Sequence, residues 1–461
     1  MPMLKAYLPN NLNLDAILST NPPEFTYAKD NFLYLISQVT ERVSYTKDLV
    51  DGNGFISLNA QELQKKVRNY NVCMQYLVDN GVFYTDNHYI VGEKAKGYCF
   101  TEQYEQKVKS LEITKPSLIK QCGKKSEGEV NSAKSYNYLY KWLNNDINID
   151  IEGALDYIND DLKANTLNKV KNAMLKHNAS YVAATKFHNK EFSFSVDGTV
   201  GRLHTNLTNM KSELRNFITY NGMPMVSVDI SNSQPCFAGL LLDEAFYSPS
   251  KLAKNDPKIT FSRLNTYLQS TYLSNITDIS LYIMLVKSTE STDNKCFAKY
   301  LDVVQQGKLY SYIAERIEAS EGTTLINHKE LKSMIFNVLF SDNRFIGQAD
   351  AKPKRIFRAI FPEVYEVFKL IKKNDNSALP CILQAVEAKL MLDHVAKRIS
   401  KENKTLPIFT IHDSIACPVG YEDYVATVIK EEMLLRTGMC PNLKFDYWKP
   451  SNIITPLTKA A

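Results

Sequence analysis

The chain has 461 residues, of which 44% are hydrophobic, and its formal net charge is only +5. This length accommodates two or three folded domains with a substantial core, and the mild charge permits a basic groove without requiring one. The eight cysteines contain no CxxC pair, which speaks against a zinc module or a disulfide framework. Because no apolar run is long enough for a bilayer, we expect a cytoplasmic protein without membrane partners.

Residues 1–105 predict a small N-terminal domain. Its helices and strand-like runs follow one another as Asn59–Val67, Asn71–Asn80, Val82–Thr85 and His88–Val91. This succession resembles a winged helix, in which the second helix can enter the major groove of DNA. A small domain used for packing or for protein contact explains the pattern equally well.

Residues 106–135 are rich in lysine and poor in apolar residues, and they include Pro116, Gly123 and Gly128. This composition favours a linker over an arm that follows phosphates. Residues 136–190 then predict a helical region. Its DIE triplet at Asp150 is typical of exonuclease sites, but the stretch is too short for such a domain, so we expect no proofreading.

Two strand-like runs further along the chain each end in an aspartate. Met225–Val228 precedes Asp229, and Ile408–Ile411 precedes Asp413, which lies at the tip of a predicted hairpin. Either aspartate alone is explained as a turn residue. Together they can form a paired-carboxylate site for two Mg²⁺ ions about 4 Å apart, which would stabilise the attacking and leaving oxygens of a nucleotidyl transfer.

The string HKELKSMIFNVLFS lies between these two aspartates. His328, Lys332, Phe336 and Phe340 recur in it every four residues, which places them on one face of a predicted helix. A lysine there can hold a triphosphate while a ring stacks on a base or sugar. A buried amphipathic helix explains the aromatic residues equally well, but it does not explain a lysine on the same face.

The order and spacing of these motifs resemble the family A nucleic-acid polymerases, which include bacterial polymerase I and the single-subunit phage and mitochondrial RNA polymerases. The resemblance extends from near Phe192 to Asn452. Two further motifs carry it: VGRLHTNLTNM, which begins at Val200, resembles the TGRL segment of the family, and LQAVEAKLML resembles its glutamine-bearing helix.

The resemblance implies a role for each matched residue. Asp229 and Asp413 would bind two metal ions, Mg²⁺ or alternatively Mn²⁺, with help from the carbonyl of Ile230. Lys332 would hold the triphosphate and donate a proton to pyrophosphate. The other implied contacts are with the nucleotide for His328, Phe336, Phe340 and Gln234, and with the template and primer for Arg202, Arg215, Gln384 and His412.

The chain also departs from the family pattern. His328 replaces an arginine of the fingers helix, and Phe340 with Ser341 replaces a tyrosine and a glycine. Ser414 follows the second carboxylate as in the RNA polymerases, and Gln234 stands where the DNA polymerases carry a glutamate that excludes a 2′-hydroxyl. The GRL string and the glutamine-bearing helix are closer to the DNA polymerases, so DNA synthesis is favoured.

We therefore expect an α+β right-hand polymerase without an exonuclease, with a helical thumb at 136–190 and an antiparallel palm sheet with helical fingers at 191–461. It would extend a 3′-hydroxyl on a nucleic-acid template and primer with deoxynucleoside triphosphates, in the replication of a phage or other mobile element. An RNA polymerase or primase of the same fold is the alternative. A template-independent terminal transferase and a non-catalytic nucleic-acid-binding replication protein are further alternatives.

Overall fold

The computed structural model describes residues 4–46, 50–90, 92, 94–248, 256–264, 268, 272, 275–289, 296–321, 327–343 and 346–453. They form a mixed structure of helices and antiparallel sheets. The strands are β1 Leu4–Pro9, β2 Ile56–Ser57, β3 Phe83–Thr85, β4 Gly97–Phe100, β5 Val108–Ile113, β6 Ile147–Ile149, β7 Phe194–Val196, β8 Leu203–Thr205, β9 Ile218–Tyr220, β10 Met223–Ile230, β11 Phe409–Ile411, β12 Ser414–Pro418 and β13 Leu443–Tyr447.

The helices follow the same chain order. They are α1 Leu14–Thr20, α2 Lys29–Tyr45, α3 Ala60–Lys66, α4 Tyr70–Asp79, α5 Pro116–Cys122, α6 Glu127–Ser135, α7 Asn137–Tyr140, α8 Ile151–Leu167, α9 Ala173–His188, α10 Asn206–Asn209, α11 Ser233–Leu240, α12 Glu244–Tyr247, α13 Phe261–Leu264, α14 Ile276–Thr289, α15 Cys296–Gln305, α16 Leu309–Glu321, α17 His328–Phe340, α18 Lys352–Ile360, α19 Pro362–Ile371, α20 Ala378–Ala388, α21 Lys397–Glu402 and α22 Glu422–Thr437. Within the described part of the chain, none is long and apolar enough to cross a membrane.

Helix α2 is the central element of the N-terminal region. Phe32, Leu35, Ile36 and Val39 are fully buried along it. β2, β4 and β3 form a three-stranded sheet beside it, and β1 pairs with β5. Helices α3 and α4 occupy the positions that the sequence predicts, and α3 begins where Asn59 Oδ1 accepts hydrogen bonds from two backbone N–H groups.

The strand predicted at His88–Val91 is replaced by a wide turn. Ile90 forms only an isolated bridge with Lys94, and Val91 lies outside the described residues. The partner of β3 is β4, which begins later in the chain. The reason is Asp86, whose Oδ1 accepts hydrogen bonds from backbone N–H groups on both sides of the turn and so ends β3.

Residues 106–135 are not an extended linker. They contain β5, which pairs with β1 along its whole length, followed by α5 and α6. Val108, Ile113 and Leu118 are buried, whereas the lysines of this stretch lie at exposed or half-buried positions. Three apolar anchors are enough to fix the segment, although its composition is that of a linker.

Residues 136–190 are mainly helical, as the sequence predicts, but they also contribute strand β6 to the largest sheet through β9. Helices α8 and α9 pack together, and α9 also packs against α2. The Nζ of the buried Lys186 in α9 donates hydrogen bonds to Glu41 Oε2 and to Tyr45 Oη in α2. This α2–α9 ion pair connects the N-terminal region to the rest of the protein.

The largest sheet has the order β11-β12-β10-β9-β6, and β13 also pairs with β10. Val226, Val228 and Ile230 of β10 are buried on one face together with Ile415 of β12, and α22 packs against both strands. Because side chains alternate along a strand, Asp229 points to the opposite face. The sheet therefore separates a hydrophobic core from a face that carries a carboxylate.

A helical region extends from α11 to α21 between β10 and β11. The fully buried rings of Tyr300, Phe357, Phe361 and Phe368 pack against one another in its centre. Helix α20 continues through a π-helical stretch, Lys389–Ala396, into α21. This continuous helix contacts α17 on one side and strands β11 and β12 on another, and so connects the helical region to the sheet.

Candidate active site

The two predicted carboxylates lie beside each other at one end of the sheet. β10 and β12 are antiparallel neighbours in which Asp229 pairs with Ser414, so Asp413 is one residue from that pair. The backbone N–H of Ile230 donates a hydrogen bond to the carbonyl of Asp413 over 3.4 Å. Burial and the nearby Asp413 charge raise the pKa of Asp229 to about 6, and burial raises the pKa of Asp413. A cation would relieve this repulsion.

Asp413 is held in place by a tight hairpin between β11 and β12. The two-residue loop contains His412, whose φ of +56° lies in the left-handed region that a residue with a side chain rarely adopts. The Ser414 hydroxyl fixes the turn by donating to the carbonyl of Ile411 over 2.9 Å. Partial burial together with the charges of Arg202 and Arg215 lowers the pKa of His412 to about 4, so its ring is neutral at pH 7.

The turn that follows Asp229 and the start of α11 carry three buried polar atoms that have no hydrogen-bond partner among the described residues. These atoms are Ser231 Oγ, Asn232 Nδ2 and Gln234 Oε1. Asn232 adopts a left-handed conformation, with a φ of +53°, and α11 begins directly after it. Buried polar atoms are rarely left unpaired in folded proteins. Their concentration beside the carboxylates is typical of a surface that completes its hydrogen bonds with a ligand.

Glu387 is a site residue that the sequence reasoning missed. It is 2% exposed at the end of α20, and its Oε1 accepts hydrogen bonds from Arg202 Nε at 3.0 Å and Nη2 at 2.7 Å. Its Oε2 accepts a hydrogen bond from Gln234 Nε2. Burial and the charge of Asp413 raise the pKa of Glu387 to about 7. The sequence did contain a signal for this residue, because Glu387 stands within the apolar run LQAVEAKLML. A glutamate that is buried in such a run almost always has a partner.

Asp229, Asp413 and Glu387 together form what we call the carboxylate cluster. Arg202, at the start of the GRL segment, is the cation bonded directly to it. The Arg202 charge also opposes the rise in the pKa of Asp413. The predicted nucleic-acid contact Arg202 and the predicted nucleotide contact Gln234 are therefore joined through one acid.

Asp446, on strand β13 of the same sheet, and Arg215, in the 3-10 helix Ser212–Phe217 before β9, lie close to Asp229. In β13, Asp446 pairs with Ser227, which places it on the face that Asp229 occupies two residues further along β10. Burial lowers the pKa of Arg215, and the charges of Asp229 and Asp446 oppose that effect. Arg215 Nε donates to the carbonyl of Leu207 over 3.1 Å, which fixes the guanidinium near both acids.

Helix α17 contains the predicted stripe, and its two faces are separated as the pattern suggests. Its buried residues are Leu331, Met334, Ile335, Val338 and Leu339, whereas His328 and Lys332 are exposed and Phe336 and Phe340 are half-buried. Lys332 Nζ lies 5.5 Å from the centre of the Phe336 ring, and that ring is 5.3 Å from the Phe340 ring.

The charge of Lys332 reaches the carboxylate cluster, where it opposes the rise in the pKa of Asp413. His328 lies at the start of the helix with its ring against Tyr310, at a centroid separation of 4.9 Å. Gln384 is half-buried on α20, one turn before Glu387 and on the same side of that helix.

A metal at this site would need ligands from a substrate in addition to those from the protein. In the described part of the chain, no group of three or more His, Cys, Asp or Glu side chains is arranged to hold a metal ion. Mg²⁺ commonly binds to one or two carboxylates and takes its remaining ligands from substrate phosphates and water. The carboxylates of Asp229 and Asp413 are therefore of the ligand type and number that Mg²⁺ takes when substrate phosphates complete its coordination.

Comparison with known proteins leaves the family open. No family model and no curated protein matches the chain. Among solved structures, it is similar to the POL domain of Pol1 from M. smegmatis in complex with DNA primer-template and dNTP, with 11% sequence identity over 73% of this chain and 72% of that one. The TM-score of 0.31 is too low to establish a common fold. The function of this chain is therefore inferred from the site itself.

Proposed function

We propose that this chain catalyses template-directed nucleotidyl transfer, in which a nucleoside monophosphate from a triphosphate is joined to the 3′-hydroxyl of a primer. The observation that carries the proposal is the juxtaposition of Asp229 and Asp413, from distant segments of the chain, with the charge of Lys332 within reach of Asp413. Two raised carboxyl pKa values beside a cation-bearing helix are typical of a site for metal-bound phosphates.

In the proposed reaction, Asp229 and Asp413 would hold two Mg²⁺ ions, or Mn²⁺ in their place, with help from the Ile230 carbonyl. When bound, the ions would lower the pKa of the attacking hydroxyl and neutralise charge on the leaving oxygen. The 3′-hydroxyl loses its proton to water and its oxygen forms a bond to the α-phosphorus, as the bond from that phosphorus to the bridging oxygen breaks. The Lys332 ammonium binds the triphosphate and gives a proton to the departing pyrophosphate.

We assign the remaining predicted residues to contacts with the nucleotide and the nucleic acid. Phe336 and Phe340 would offer ring faces to the base and sugar, and His328, one turn before Lys332 on the same stripe, would contact the triphosphate. The proposed contacts with the template and primer are those of Arg202, Arg215, Gln384 and His412. Because the His412 ring is neutral at pH 7, it would act as a hydrogen-bonding group near the primer terminus rather than as a charge.

On this proposal, the elements of the fold correspond to the parts of a right-hand polymerase. The largest sheet would form the palm, the helical region from α13 to α19 the fingers, and α8 with α9 part of a thumb. The β2–β4–β3 sheet with α3 and α4 would be an accessory nucleic-acid-binding or packing unit. Magnesium, a template, a primer and nucleoside triphosphates are the partners that this assignment requires.

Deoxyribonucleotides remain the favoured substrates, and one contact favours RNA synthesis as a second candidate. Gln234 donates its Nε2 hydrogen bond to Glu387, which leaves Oε1 as an acceptor without a partner among the described residues. An amide oxygen without a partner can accept a hydrogen bond from a 2′-hydroxyl. Position 234 is therefore the first place to examine for sugar preference.

The decisive experiment is extension of a labelled primer on DNA and RNA templates, with deoxyribonucleotides and ribonucleotides supplied separately. We expect Mg²⁺-dependent addition of the templated nucleotide and none with Asp413→Asn. Products made without a primer would favour a primase, and products that ignore the template sequence would favour a terminal transferase. Binding of nucleic acid without any product from the unaltered chain would overturn the proposal.

A further inference from the structure

We propose that Glu387 is a positioning residue that fixes Arg202 and Gln234 at the catalytic carboxylates and thereby sets how the incoming nucleotide is held. This inference rests on the proposed function and deepens it. Glu387 touches neither the reacting atoms nor a metal in this scheme. It acts through the two side chains that its carboxylate binds.

Glu387 bonds to two side chains through both of its carboxylate oxygens. Both of its oxygens are used: Oε1 binds the Nε and Nη2 of Arg202, and Oε2 binds the Nε2 of Gln234. The two Arg202 contacts fix the plane of the guanidinium. This group is rigid and planar, so its Nε and Nη2 can both donate to one oxygen in only a few orientations. Arg202 is consequently held in one orientation beside Asp413.

The bond to Glu387 also fixes the orientation of the Gln234 amide. An amide can present either its oxygen or its nitrogen to a ligand. Glu387 accepts only from N–H groups when it is ionised, so it selects the orientation in which Nε2 faces inward. Oε1 then becomes the atom available to a substrate donor, and it is the atom that lacks a partner among the described residues.

Glu387 lies where several elements of the fold meet. It lies at the last turn of α20, directly before the π-helical stretch Lys389–Ala396, which packs against β11 and β12. Helix α17 packs against α20 from the other side. A single carboxylate thus joins the GRL segment, α11 and the helix that lies between the catalytic sheet and the lysine-bearing helix.

The test compares Glu387→Gln with Glu432→Gln in steady-state primer extension. Glu432 is a matched control because it is also buried and also binds two arginines, Arg398 and Arg436, in the described structure. We expect Glu387→Gln to lower kcat/KM for the nucleotide by about 100-fold, since misplacement of positioning groups by about 1 Å has effects of this order. Glu432→Gln should lower thermal stability and leave kcat and KM unchanged.

A rescue experiment separates positioning from simple stabilisation. Gln234→Glu alone places two carboxylates together and should also impair extension, whereas Gln234→Glu combined with Glu387→Gln restores one amide and one carboxylate at this contact. The double variant should regain at least tenfold in kcat/KM over the weaker single variant, and its preference between deoxyribonucleotides and ribonucleotides should change. No rescue, with all variants folded by circular dichroism, would overturn the positioning role.

The failures of the two proposals are distinguishable. If the unaltered chain extends no primer, the nucleotidyl-transfer function and the role built on it are both wrong. If the unaltered chain is active and Glu387→Gln keeps full kcat and KM while its melting temperature falls, Glu387 is a structural residue only and the proposed function stands.

Discussion

Two groups of buried charges in this protein are built in opposite ways. In the α2–α9 ion pair, the Lys186 ammonium is bound by the Glu41 carboxylate and the Tyr45 hydroxyl. Burial alone would lower the pKa of Lys186, but these partners raise it above its ordinary value, so the charged form is favoured. In the carboxylate cluster, the pKa values of Asp229, Asp413 and Glu387 are all raised, so the charged forms are disfavoured.

The difference separates structure from function. A buried charge is costly unless it has a partner, and the α2–α9 ion pair finds that partner within the fold. In the carboxylate cluster, the charges of Arg202 and Lys332 oppose the rise in carboxyl pKa but do not cancel it. A bound cation would supply the missing compensation, and the proposed site is therefore assigned to the cluster rather than to the ion pair.

The largest expected effect comes from replacing one acid of the cluster. Asp413→Asn should reduce primer extension on the order of 10³-fold or more, because metal coordination contributes several kcal/mol to stabilisation of the transition state. The same change should raise the melting temperature without divalent metal, since it removes repulsion with Asp229. A gel assay of primer extension tests the loss of activity, and thermal melting in EDTA tests the rise in melting temperature.

The control for this variant is Asp15→Asn, which removes an acid from an exposed pair with Lys29. Exposed pairs contribute little to stability, so both activity and melting temperature should stay unchanged. A lower melting temperature for Asp413→Asn would mean that the acid stabilises the fold, and the distinction between the two buried charge groups would then be lost.

Removal of the acid from the α2–α9 ion pair should lower stability, which is the opposite of the effect expected for Asp413→Asn. Glu41→Gln should lower the free energy of unfolding by about 3–5 kcal/mol, because it removes the carboxylate to which the buried Lys186 ammonium is bonded. Replacing both residues, with Glu41→Leu and Lys186→Met, should recover most of this loss. Urea unfolding measures each value, and Lys163→Met at the exposed pair with Asp160 should leave stability unchanged.

The sequence predicts local features of this fold better than it predicts the contacts between distant segments. The spacing in the HKELKSMIFNVLFS string predicts α17 and separates its buried face correctly, and the TIHDSI string predicts the β11–β12 hairpin. Periodicity carries no information on which distant acid meets which cation. The pairing of Lys186 with Glu41 and of Glu387 with Arg202 depends on helix packing, and only the structure reveals it.

Composition was misleading where a few anchors decide the structure. The lysine-rich segment at 106–135 is a strand and two helices because Val108 and Ile113 are buried against their neighbours at the two ends of β5. The winged-helix pattern predicted α3 and α4, but Asp86 moved the second strand of the hairpin to Gly97–Phe100. Side-chain hydrogen bonds of this kind override strand propensity, and they cannot be read from a run of residues.

The pH dependence of stability should sharpen the comparison further. Between the ordinary aspartate pKa of about 3.9 and the value of about 6 for Asp229, the native state binds more protons than the unfolded state. The free energy of unfolding should therefore fall by roughly 2–3 kcal/mol as the pH rises through this window in the absence of metal. Other groups titrate there as well, so the informative quantity is the difference between the unaltered chain and Asp229→Asn.

This difference should be reduced when Mg²⁺ is added, because a bound cation favours the ionised carboxylate at every pH of the window. Denaturant unfolding at pH 4, 5, 6 and 7, with EDTA or with Mg²⁺, gives the four curves that are needed. Parallel curves for the two proteins in EDTA would show that Asp229 titrates normally. The carboxylate cluster would then not be under electrostatic strain.

The smallest expected effect concerns the backbone rather than a charge. Glu41 and Lys186 lie within regular helices, whereas His412 holds a φ of +56° at the tip of the β11–β12 hairpin. Because a Cβ atom makes this conformation unfavourable by about 1 kcal/mol or more, His412→Gly should be more stable than His412→Ala by about 1 kcal/mol. Both variants lack the imidazole, so their difference reports the backbone alone. Equal unfolding free energies for the two would show that the hairpin adopts its turn without strain, and that the unfavourable free energy of the site resides in its carboxylates.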